Sequence, residues 1–322
     1  MDNKENVENR LERYLGLNYD NIKDIHCTIV GIGALGSKTA KTLGKIGFNL
    51  KLIDRDLVES KNLDSQEYVE SDIGELKSEA MVEKIKDMND KKIQIESSVL
   101  DLNSNNIERE ISETDVIIDS TDNLRTRLLL NDHAKREGIP LVIGMIGGAK
   151  GMTMTVNPSG PCLKCVLGED PVSEGTCDEL GISPGVAEVI SALQVKQVTD
   201  IVRGKPVERL ITVDLDKMDF DKLGISKRDN CSTCNEKYKE LGRIREPRKL
   251  CGEKSVQIYP RVIDLKELGK INSNLKIYGD KMAVLEDENI KIAVYSSGKA
   301  IVRGVDSIEE ARKKYDKLLG GR

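Results

Sequence analysis

Short apolar runs alternate with stretches of helical spacing along the first two thirds of the chain. The runs end in turn residues and predict strands at Cys27–Gly31, Leu50–Asp54, Ile93–Leu100, Val116–Asp119, Leu141–Met145, Met152–Val156 and Leu210–Val213. Between them, apolar residues at helical spacing predict helices at Ser37–Ile46, Glu75–Asn89, Asn106–Ile111, Asn123–Glu137 and Ala187–Val202. This alternation predicts an α/β fold with a Rossmann-like, mainly parallel sheet and helices on both faces. In such sheets, ligands bind at the carboxyl ends of the strands.

The pattern changes after Asp216. Residues 216–248 are polar and basic, and they predict a connector or surface loop. Short alternating runs then return at Val256–Ile258, Lys281–Leu285, Lys291–Tyr295 and Lys299–Val302. A last helix follows, with Asp306 as its predicted N-cap. We therefore expect two domains, residues 1–248 and a small α+β module at residues 249–322.

Composition narrows the class of protein. Of the 322 residues, 38% are hydrophobic and 33% are charged, with a net charge of -5, so a nucleic-acid partner is not expected. Aromatic residues make up 3%, which fits an aliphatic core. The sequence shows neither a secretory leader nor an apolar run long enough to cross a bilayer, so we expect a cytoplasmic protein without a membrane partner.

A glycine turn joins the first predicted strand to the first predicted helix. Gly31, Gly33 and Gly36 allow a tight turn in which backbone approaches phosphate oxygens, and the helix N-terminus adds N–H donors. Asp54 ends the next strand, where a carboxylate meets ribose hydroxyls. These residues alone are equally compatible with NAD, FAD and ATP.

The segments beyond Asp54 separate these nucleotides. They read D-R-D-L-V-E-S-K-N-L-D-S-Q-E-Y, D-I-G-E-L-K-S-E-A and D-S-T-D-N-L-R-T-R-L-L-L-N-D. Together with the glycine turn, they resemble the ThiF/MoeB/HesA family of adenylating enzymes, relatives of ubiquitin-activating enzymes, over residues 10 to 240. The resemblance implies ATP-dependent adenylation of the C-terminal glycine of a ubiquitin-like sulfur carrier ending in Gly-Gly. A sulfur donor protein would then supply sulfur for the thiamine or molybdopterin pathway or for tRNA thiolation.

The same resemblance implies a set of site residues. Asp54 and Asp56 would address the ribose, Asn62 and Gln66 would line the phosphate site, Lys77 would contact the triphosphate, and Asp122, beside Asn123, would hold magnesium. Lys77 and Asp122 suit catalysis, because a cation and a metal must offset the repulsion between a carboxylate and an anionic phosphate.

The chain departs from the family pattern at two places. Ser65 stands where the family has an arginine that clamps the polyphosphate. The N-terminal arginine element, which relatives supply across a homodimer, is present only in part as Arg10 and Arg13-Tyr14. The resemblance implies a homodimer here as well, with Arg125, Arg127 or an N-terminal arginine compensating for Ser65, or else weak or differently directed adenylation.

The cysteines carry two further predictions. Cys162-x-x-Cys165 and Cys231-x-x-Cys234 supply four thiolates for a closed, structural zinc site, the alternative being a redox dithiol. The resemblance implies that Cys177 forms a covalent link to the activated carrier. A thiolate can attack an acyl adenylate without a histidine, and the chain has only two histidines.

Two alternatives remain open on the sequence. Ser65 could mark a nucleotide-binding pseudoenzyme or scaffold of the same fold. An NAD-dependent oxidoreductase would share the glycine turn but would leave both C-x-x-C pairs without a reason.

Overall fold

The computed structural model describes Arg13, Gly16 and residues 22–88, 92–171, 181–206, 209–243, 247–250, 254–260, 264–272, 274–287, 290–296 and 298–318. The chain divides into two compact units, and the second contains the residues from Arg243 onward. The functional boundary expected at residue 248 stays a prediction. Among the described helices, none has the length and apolar character that crossing a membrane requires.

Unit 1, which ends at Gly242, is built on one large sheet. Its described strands lie in the order β3-β2-β1-β4-β5-β6-β7-β8. The run from β3 to β5 is parallel, and β6, β7 and β8 continue it as antiparallel neighbours. The strand bounds are β1 His26–Val30, β2 Asn49–Ile53, β3 Ile95–Ser98, β4 Val116–Asp119, β5 Leu141–Gly147, β6 Lys150–Val156, β7 Arg209–Asp214 and β8 Asp219–Gly224.

Helices cover both faces of this sheet. Their bounds are α1 Gly36–Ile46, α2 Lys77–Asp87, α3 Ile107–Glu110, α4 Leu124–Glu137, α5 Leu163–Leu167 and α6 Pro184–Val202. Neighbouring strand residues join opposite cores: Ile29 and Ile118 pack in one cluster, whereas Val30 and Ile117 pack in the other. Burial on both faces explains why these strands read as continuous apolar runs, and the α/β prediction is confirmed.

The predicted connector at residues 216–248 is wrong in part. It contains β8, which pairs with β7, and short 3-10 helices at Thr233–Asn235 and Lys239–Gly242. All six residues of β8 are exposed, so burial imposes no alternation of apolar and polar residues on this edge strand.

Unit 2 contains a separate antiparallel sheet. Its described strands lie in the order β11-β12-β13-β14-β10-β9, and helices α7 and α8 belong to the same unit. The bounds are β9 Arg248–Leu250, β10 Ser255–Ile258, α7 Leu265–Ile271, β11 Lys276–Tyr278, β12 Met282–Asp287, β13 Ile290–Tyr295, β14 Lys299–Arg303 and α8 Ile308–Leu318. A core cluster joins the helices to the sheet, with Leu268, Val302 and Tyr315 among its members.

The N-cap predicted for the last helix is off by one residue. The hydroxyl of Ser307, not the carboxylate of Asp306, accepts the N–H of Glu310, at 3.1 Å. The Asp306 carboxylate instead pairs with Lys254 at 3.0 Å. Serine and aspartate are comparable N-caps, so composition alone could not separate two adjacent candidates.

Candidate active site and metal centre

Two glycines of the turn are required by the packing of unit 1 itself. Gly31 has φ +85°, and a Cβ there would lie 2.7 Å from the carbonyl oxygen of Ser120. A Cβ on Gly36 would lie 1.8 Å from the carbonyl oxygen of Gly31. No side chain fits at either position, so these glycines bring the turn directly against the loop that follows β4.

Gly33 has no such structural reason to be glycine. The nearest heavy atom to a Cβ built there is Nε2 of Gln66, at 4.0 Å, and its φ lies outside the left-handed region. Oε1 of Gln66 is buried and has no hydrogen-bond partner among the described residues. The space that a Cβ on Gly33 would take is therefore unoccupied by described atoms, and the Gln66 amide borders it at van der Waals distance. We call this space the Gly33 cradle.

Asp54 fixes the shape of the turn. Its two carboxylate oxygens accept the backbone N–H groups of Ile32 at 2.6 Å and Asp56 at 2.8 Å. Burial and the neighbouring charge of Asp56 raise the pKa of Asp54, while Lys77 opposes this rise. Asp54 thus supports the turn from the end of β2; its contact with a ribose stays a prediction.

Tyr68 links the glycine turn to the start of α2. Its hydroxyl lies 2.9 Å from the carbonyl oxygen of Ile32 and 3.1 Å from that of Lys77. Lys77 is the first residue of α2, and its backbone N–H donates to the Asp56 carbonyl at 2.9 Å. Within the described residues, the Lys77 ammonium has neither a hydrogen bond nor an ion pair, although it is only 8% exposed. The Lys77 ammonium is thus held near the turn without a direct bond, and it interacts with the Asp54 carboxylate through charge alone.

Glu67 attaches the Gln66 segment to α1. Its backbone N–H donates to the Ser37 hydroxyl at 3.2 Å, and its carboxylate pairs with Lys38 at 3.0 Å and Lys41 at 2.5 Å. Burial opposes ionisation of Glu67, but the hydrogen bonds from both lysines outweigh it and lower the pKa of this carboxyl. These contacts fix the position of Gln66 across the Gly33 cradle.

The loop after β4 carries two carboxylates, one buried and hydrogen-bonded within the loop and one exposed. Asp119 is fully buried and accepts two hydrogen bonds from Thr121, at 2.9 Å from its N–H and 2.7 Å from its hydroxyl. Asp122 is exposed and makes no hydrogen bond or ion pair with any described residue. Asn123 is the N-cap of α4, because its side chain accepts the N–H of Thr126 at 2.8 Å. Asp122 is therefore the exposed carboxylate of this loop, and its contact with magnesium stays a prediction.

Arg127 does not take the place of the phosphate-binding arginine that the family has at the position of Ser65. Its guanidinium is buried, with Nε 3.5 Å from the Asp119 carboxylate. The same group donates to the Gly144 carbonyl at 2.9 Å and to the Thr121 carbonyl. With all these partners inside unit 1, Arg127 stabilises the loop and is not free to bind a phosphate.

The remaining predicted residues are placed as follows. Asn62 is half-buried and accepts the N–H of Glu59 at 3.0 Å, so its side chain closes a short 3-10 turn. Ser65 is half-buried, and Arg13 is exposed. Cys177, Arg10 and Tyr14 lie outside the described residues.

The four predicted metal ligands converge at one point. All four Sγ atoms lie within 4.8 Å of one another. Cys162 and Cys231 are 3.5 Å apart, Cys165 and Cys234 are 3.5 Å apart, and Cys162 and Cys165 are 4.0 Å apart. Four sulfurs about 2.3 Å from a tetrahedral zinc ion would be about 3.8 Å apart, so the cluster fits a structural zinc site.

Burial of the cysteine cluster makes the ionisation of three of its thiols unfavourable unless a cation is bound. Burial raises the pKa of Cys162, Cys231 and Cys234 to about 11 in each case. A bound divalent ion offsets the cost of ionising such thiols, which couples metal binding to folding.

A buried ion pair that the sequence analysis missed supports the metal centre. Asp132 of α4 lies 3.3 Å from the Lys164 ammonium, and both side chains are almost fully buried. Asp132 also accepts the Thr233 hydroxyl at 2.5 Å and the Glu240 N–H at 2.9 Å. Lys164 lies between the first two cysteines and Thr233 between the second two, so Asp132 holds both cysteine loops against α4. Spacing within the sequence offers no signal for this contact.

A glycine turn directly before a helix, together with four cysteines that fit a structural zinc ion, is typical of an α/β nucleotide-binding protein. The ThiF family profile matches residues 8–233, and the chain belongs to the ThiF family. It is an adenylating enzyme, as its relatives are. This membership confirms the predicted family and favours ATP among the nucleotides considered.

Curated relatives support this assignment over different lengths. The chain is 31% identical to "Sulfur carrier protein ThiS adenylyltransferase" of Bacillus subtilis over 93% of this chain and 94% of that one. It is 31% identical to "SAMP-activating enzyme E1" of Haloferax volcanii over 65% of this chain and 79% of that one. It is 30% identical to "Adenylyltransferase and sulfurtransferase MOCS3" of Aedes aegypti over 65% of this chain and 49% of that one.

Solved structures agree on the fold. Escherichia coli MccB with ATP superposes with a TM-score of 0.61 at 20% identity, covering 71% of this chain and 75% of that one. MccB with "MccA-N7isoASN" gives the same TM-score, covering 72% of this chain and 75% of that one. At this identity the likeness extends to the fold alone.

Proposed function

We propose that this enzyme uses ATP to adenylate the C-terminal glycine of a ubiquitin-like sulfur-carrier protein. The Gly33 cradle is the observation that carries the proposal, because unit 1 itself does not need a glycine there, whereas a glycine lets a phosphate lie against the backbone of the turn. The nature of the substrate rests on relatives: one is named for the sulfur carrier ThiS and another for SAMP, and the first matches nearly the whole chain.

The surrounding residues suit the charges of this reaction. The N–H groups of the turn and of the first turn of α1 would donate to phosphate oxygens. The Lys77 ammonium, which makes no hydrogen bond or ion pair with a described residue, would pair with the triphosphate. Asp122 would hold magnesium, whose charge would offset the repulsion between the incoming carboxylate and the phosphates. Asp54 and Asp56 would meet the ribose, while Asn62 and Asn123 would act through the backbone they brace.

The proposed chemistry has a defined balance. An oxygen of the carrier's terminal carboxylate forms a bond to the α-phosphorus, and the bond from that phosphorus to the bridging oxygen of the β-phosphate breaks. Pyrophosphate leaves, and an acyl adenylate remains on the carrier. Lys77 would stabilise the negative charge that develops on the phosphate oxygens.

Cys177 is the proposed acceptor of the activated acyl group. Its thiolate sulfur would bond to the carbonyl carbon while the bond from that carbon to the AMP oxygen breaks, with the thiol proton released to solvent. A sulfur nucleophile of a donor protein would then bond to the same carbonyl carbon while the bond from that carbon to the Cys177 sulfur breaks, which releases the Cys177 thiolate and leaves the carrier on the donor's sulfur. The transferred sulfur would serve cofactor biosynthesis or tRNA thiolation. Mass spectrometry of a stalled reaction should find the carrier on Cys177, and an adduct that persists in Cys177→Ser would refute this acceptor.

We further propose a cytoplasmic homodimer in which the N-terminal arm, with Arg10 and Arg13, completes the partner's nucleotide site. The arginine missing at residue 65 supports this, because Arg127, which was a candidate replacement together with Arg125, is already bonded within its own unit. An inactive Arg10→Ala, Arg13→Ala chain mixed with an inactive Lys77→Met chain should regain activity through mixed dimers. The shared site would be refuted if activity did not recover, or if light scattering showed that the active wild-type enzyme is a monomer.

ATP–pyrophosphate exchange tests the main proposal. A carrier ending in Gly-Gly should support exchange, and the same carrier with one further residue after Gly-Gly should not. Lys77→Met and Asp122→Asn should each lower the exchange rate on the order of 100-fold, whereas the exposed Lys217→Met should not. Exchange that ignores the carrier's terminus, or nucleotide binding without exchange for every Gly-Gly carrier, would refute the proposed substrate.

A further inference from the structure

A buried glutamine of α6 joins separate parts of the nucleotide site. Gln194 is fully buried. Its Oε1 accepts the Thr39 hydroxyl at 3.1 Å and the Ser120 hydroxyl at 3.3 Å, and its Nε2 donates to the Asp119 carbonyl at 3.0 Å. Both ends of the amide are therefore engaged, with residues that are far apart in the sequence.

These contacts reach both sides of the Gly33 cradle. Thr39 lies in the first turns of α1, whose N-terminus follows the glycine turn. Ser120 precedes Asp122 by two residues in the loop after β4, and a Cβ on Gly31 would lie 2.7 Å from its carbonyl oxygen. The loop is thus held by the turn on one side and by Gln194 on the other.

We propose that Gln194 is a positioning residue, which sets the Asp122 carboxylate at a fixed distance from the glycine turn. The proposal rests on the function proposed above, in which Asp122 holds magnesium and the turn binds phosphates. Without the Gln194 amide, the hydroxyls of Thr39 and Ser120 lose a shared buried acceptor. The loop then shifts or exchanges partners, and Asp122 shifts with it.

Another glutamine on the same helix provides a matched control. Gln197 is also buried, and its Oε1 accepts the Thr153 hydroxyl of β6 at 2.7 Å. Its Nε2 has no partner among the described residues, and the Thr153 hydroxyl also lies 2.7 Å from the Ile143 carbonyl. Gln197→Met therefore changes the same helix, residue type and degree of burial without touching the loop after β4.

The experiment compares Gln194→Met with Gln197→Met in the full chain. Methionine keeps the length and flexibility of glutamine but removes its polar atoms. We expect Gln194→Met to lower kcat of ATP–pyrophosphate exchange by about 10- to 100-fold, as a misplacement of about 1 Å can do. The magnesium concentration for half-maximal rate should rise, with little change in KM for ATP, whereas Gln197→Met should leave all three unchanged.

A second variant and a second measurement keep the test decisive. Thr39→Val removes one donor to Gln194 and should lower kcat by about 2- to 10-fold. It serves as the test variant in case Gln194→Met does not fold. Deuterium uptake at residues 119–123, measured without nucleotide, should be faster in Gln194→Met than in Gln197→Met. Unchanged uptake, an unchanged magnesium requirement, or equal losses in the two glutamine variants would overturn the positioning role. A wild-type chain without exchange activity would instead refute the proposed function, and the uptake comparison would still test Gln194.

Discussion

Replacing Gly33 with alanine separates the stability of unit 1 from its affinity for nucleotide. The new methyl group would have Nε2 of Gln66 as its nearest heavy atom, at 4.0 Å, and the backbone there does not need a positive φ. The fold can accept it without a clash. Only a ligand that enters the Gly33 cradle would meet it.

The substitution should raise the stability of unit 1 and lower its affinity for ATP. Glycine to alanine at a compatible position stabilises a fold by about 0.4–1 kcal/mol through the unfolded chain. At about 2–4 °C per kcal/mol, the melting temperature should rise by about 1–4 °C. A phosphate bound by the N–H groups of the turn would lie against the Cα of Gly33, in the space that the methyl group would take, and would have to move away from at least one of those N–H donors. Loss of one such charge-assisted bond, about 1.5–3 kcal/mol, weakens ATP binding by about 10- to 150-fold.

Thermal melting and calorimetric titration with ATP measure both effects on the same sample. Gly224→Ala is the matched control, because its new methyl group meets no atom within 4 Å and it lies at the end of β8. That control should leave ATP affinity unchanged. Gly36→Ala should prevent folding, since its Cβ would lie 1.8 Å from the Gly31 carbonyl. A Gly33→Ala chain that binds ATP within about twofold of wild type would refute a phosphate in the cradle.

Further substitutions test the phosphate contacts, the metal centre and the pH dependence of stability. Ser65→Arg should lower KM for ATP by about 10-fold, because it supplies a bidentate phosphate donor; an equal gain in Ser65→Gln would exclude charge as the cause. Purified chain should hold about one zinc ion, which Cys231→Ser should lose together with several kcal/mol of stability. Metal analysis that finds no zinc in wild type would contradict this. Burial lowers the pKa of His133, so unfolding takes up a proton below pH ~6.5 and wild-type stability falls there by up to ~1.4 kcal/mol per pH unit. Chemical unfolding between pH 5 and 8 should show a shallower fall in His133→Leu, and parallel curves would show that this imidazole does not titrate on unfolding.

The architecture of unit 1 was predictable because burial on both faces makes each central strand a continuous apolar run. The strand predicted at Val116–Asp119 has the observed bounds, and the turn before α1 is visible from its glycines alone. The edge strand β8 was not predictable, since its two large apolar residues, Phe220 and Leu223, are exposed and lie three positions apart, which is not the spacing of one strand face. An edge strand without a buried face does not need apolar residues at every second position, so its sequence shows no strand pattern.

Side-chain roles were less predictable than positions. Asn123 follows the family motif but acts as an N-cap, and Arg127 is bonded to backbone carbonyls within unit 1. The roles of Asp132 and Lys164 depend on contacts between α4 and the cysteine loops, which sequence separation conceals. Motifs locate residues near a site, whereas partners across the fold decide whether a charge is available to a ligand.

The cysteine cluster also constrains the order in which the chain can assemble. Its first pair, Cys162 and Cys165, is synthesised before α6, β7 and β8, and its second pair only after them. A growing chain can therefore complete the parallel part of the sheet, from β3 to β5, while half of the ligands are still missing. Closing the tetrahedral site must wait until β8 has been made, so metal binding would be a late step in the folding of unit 1.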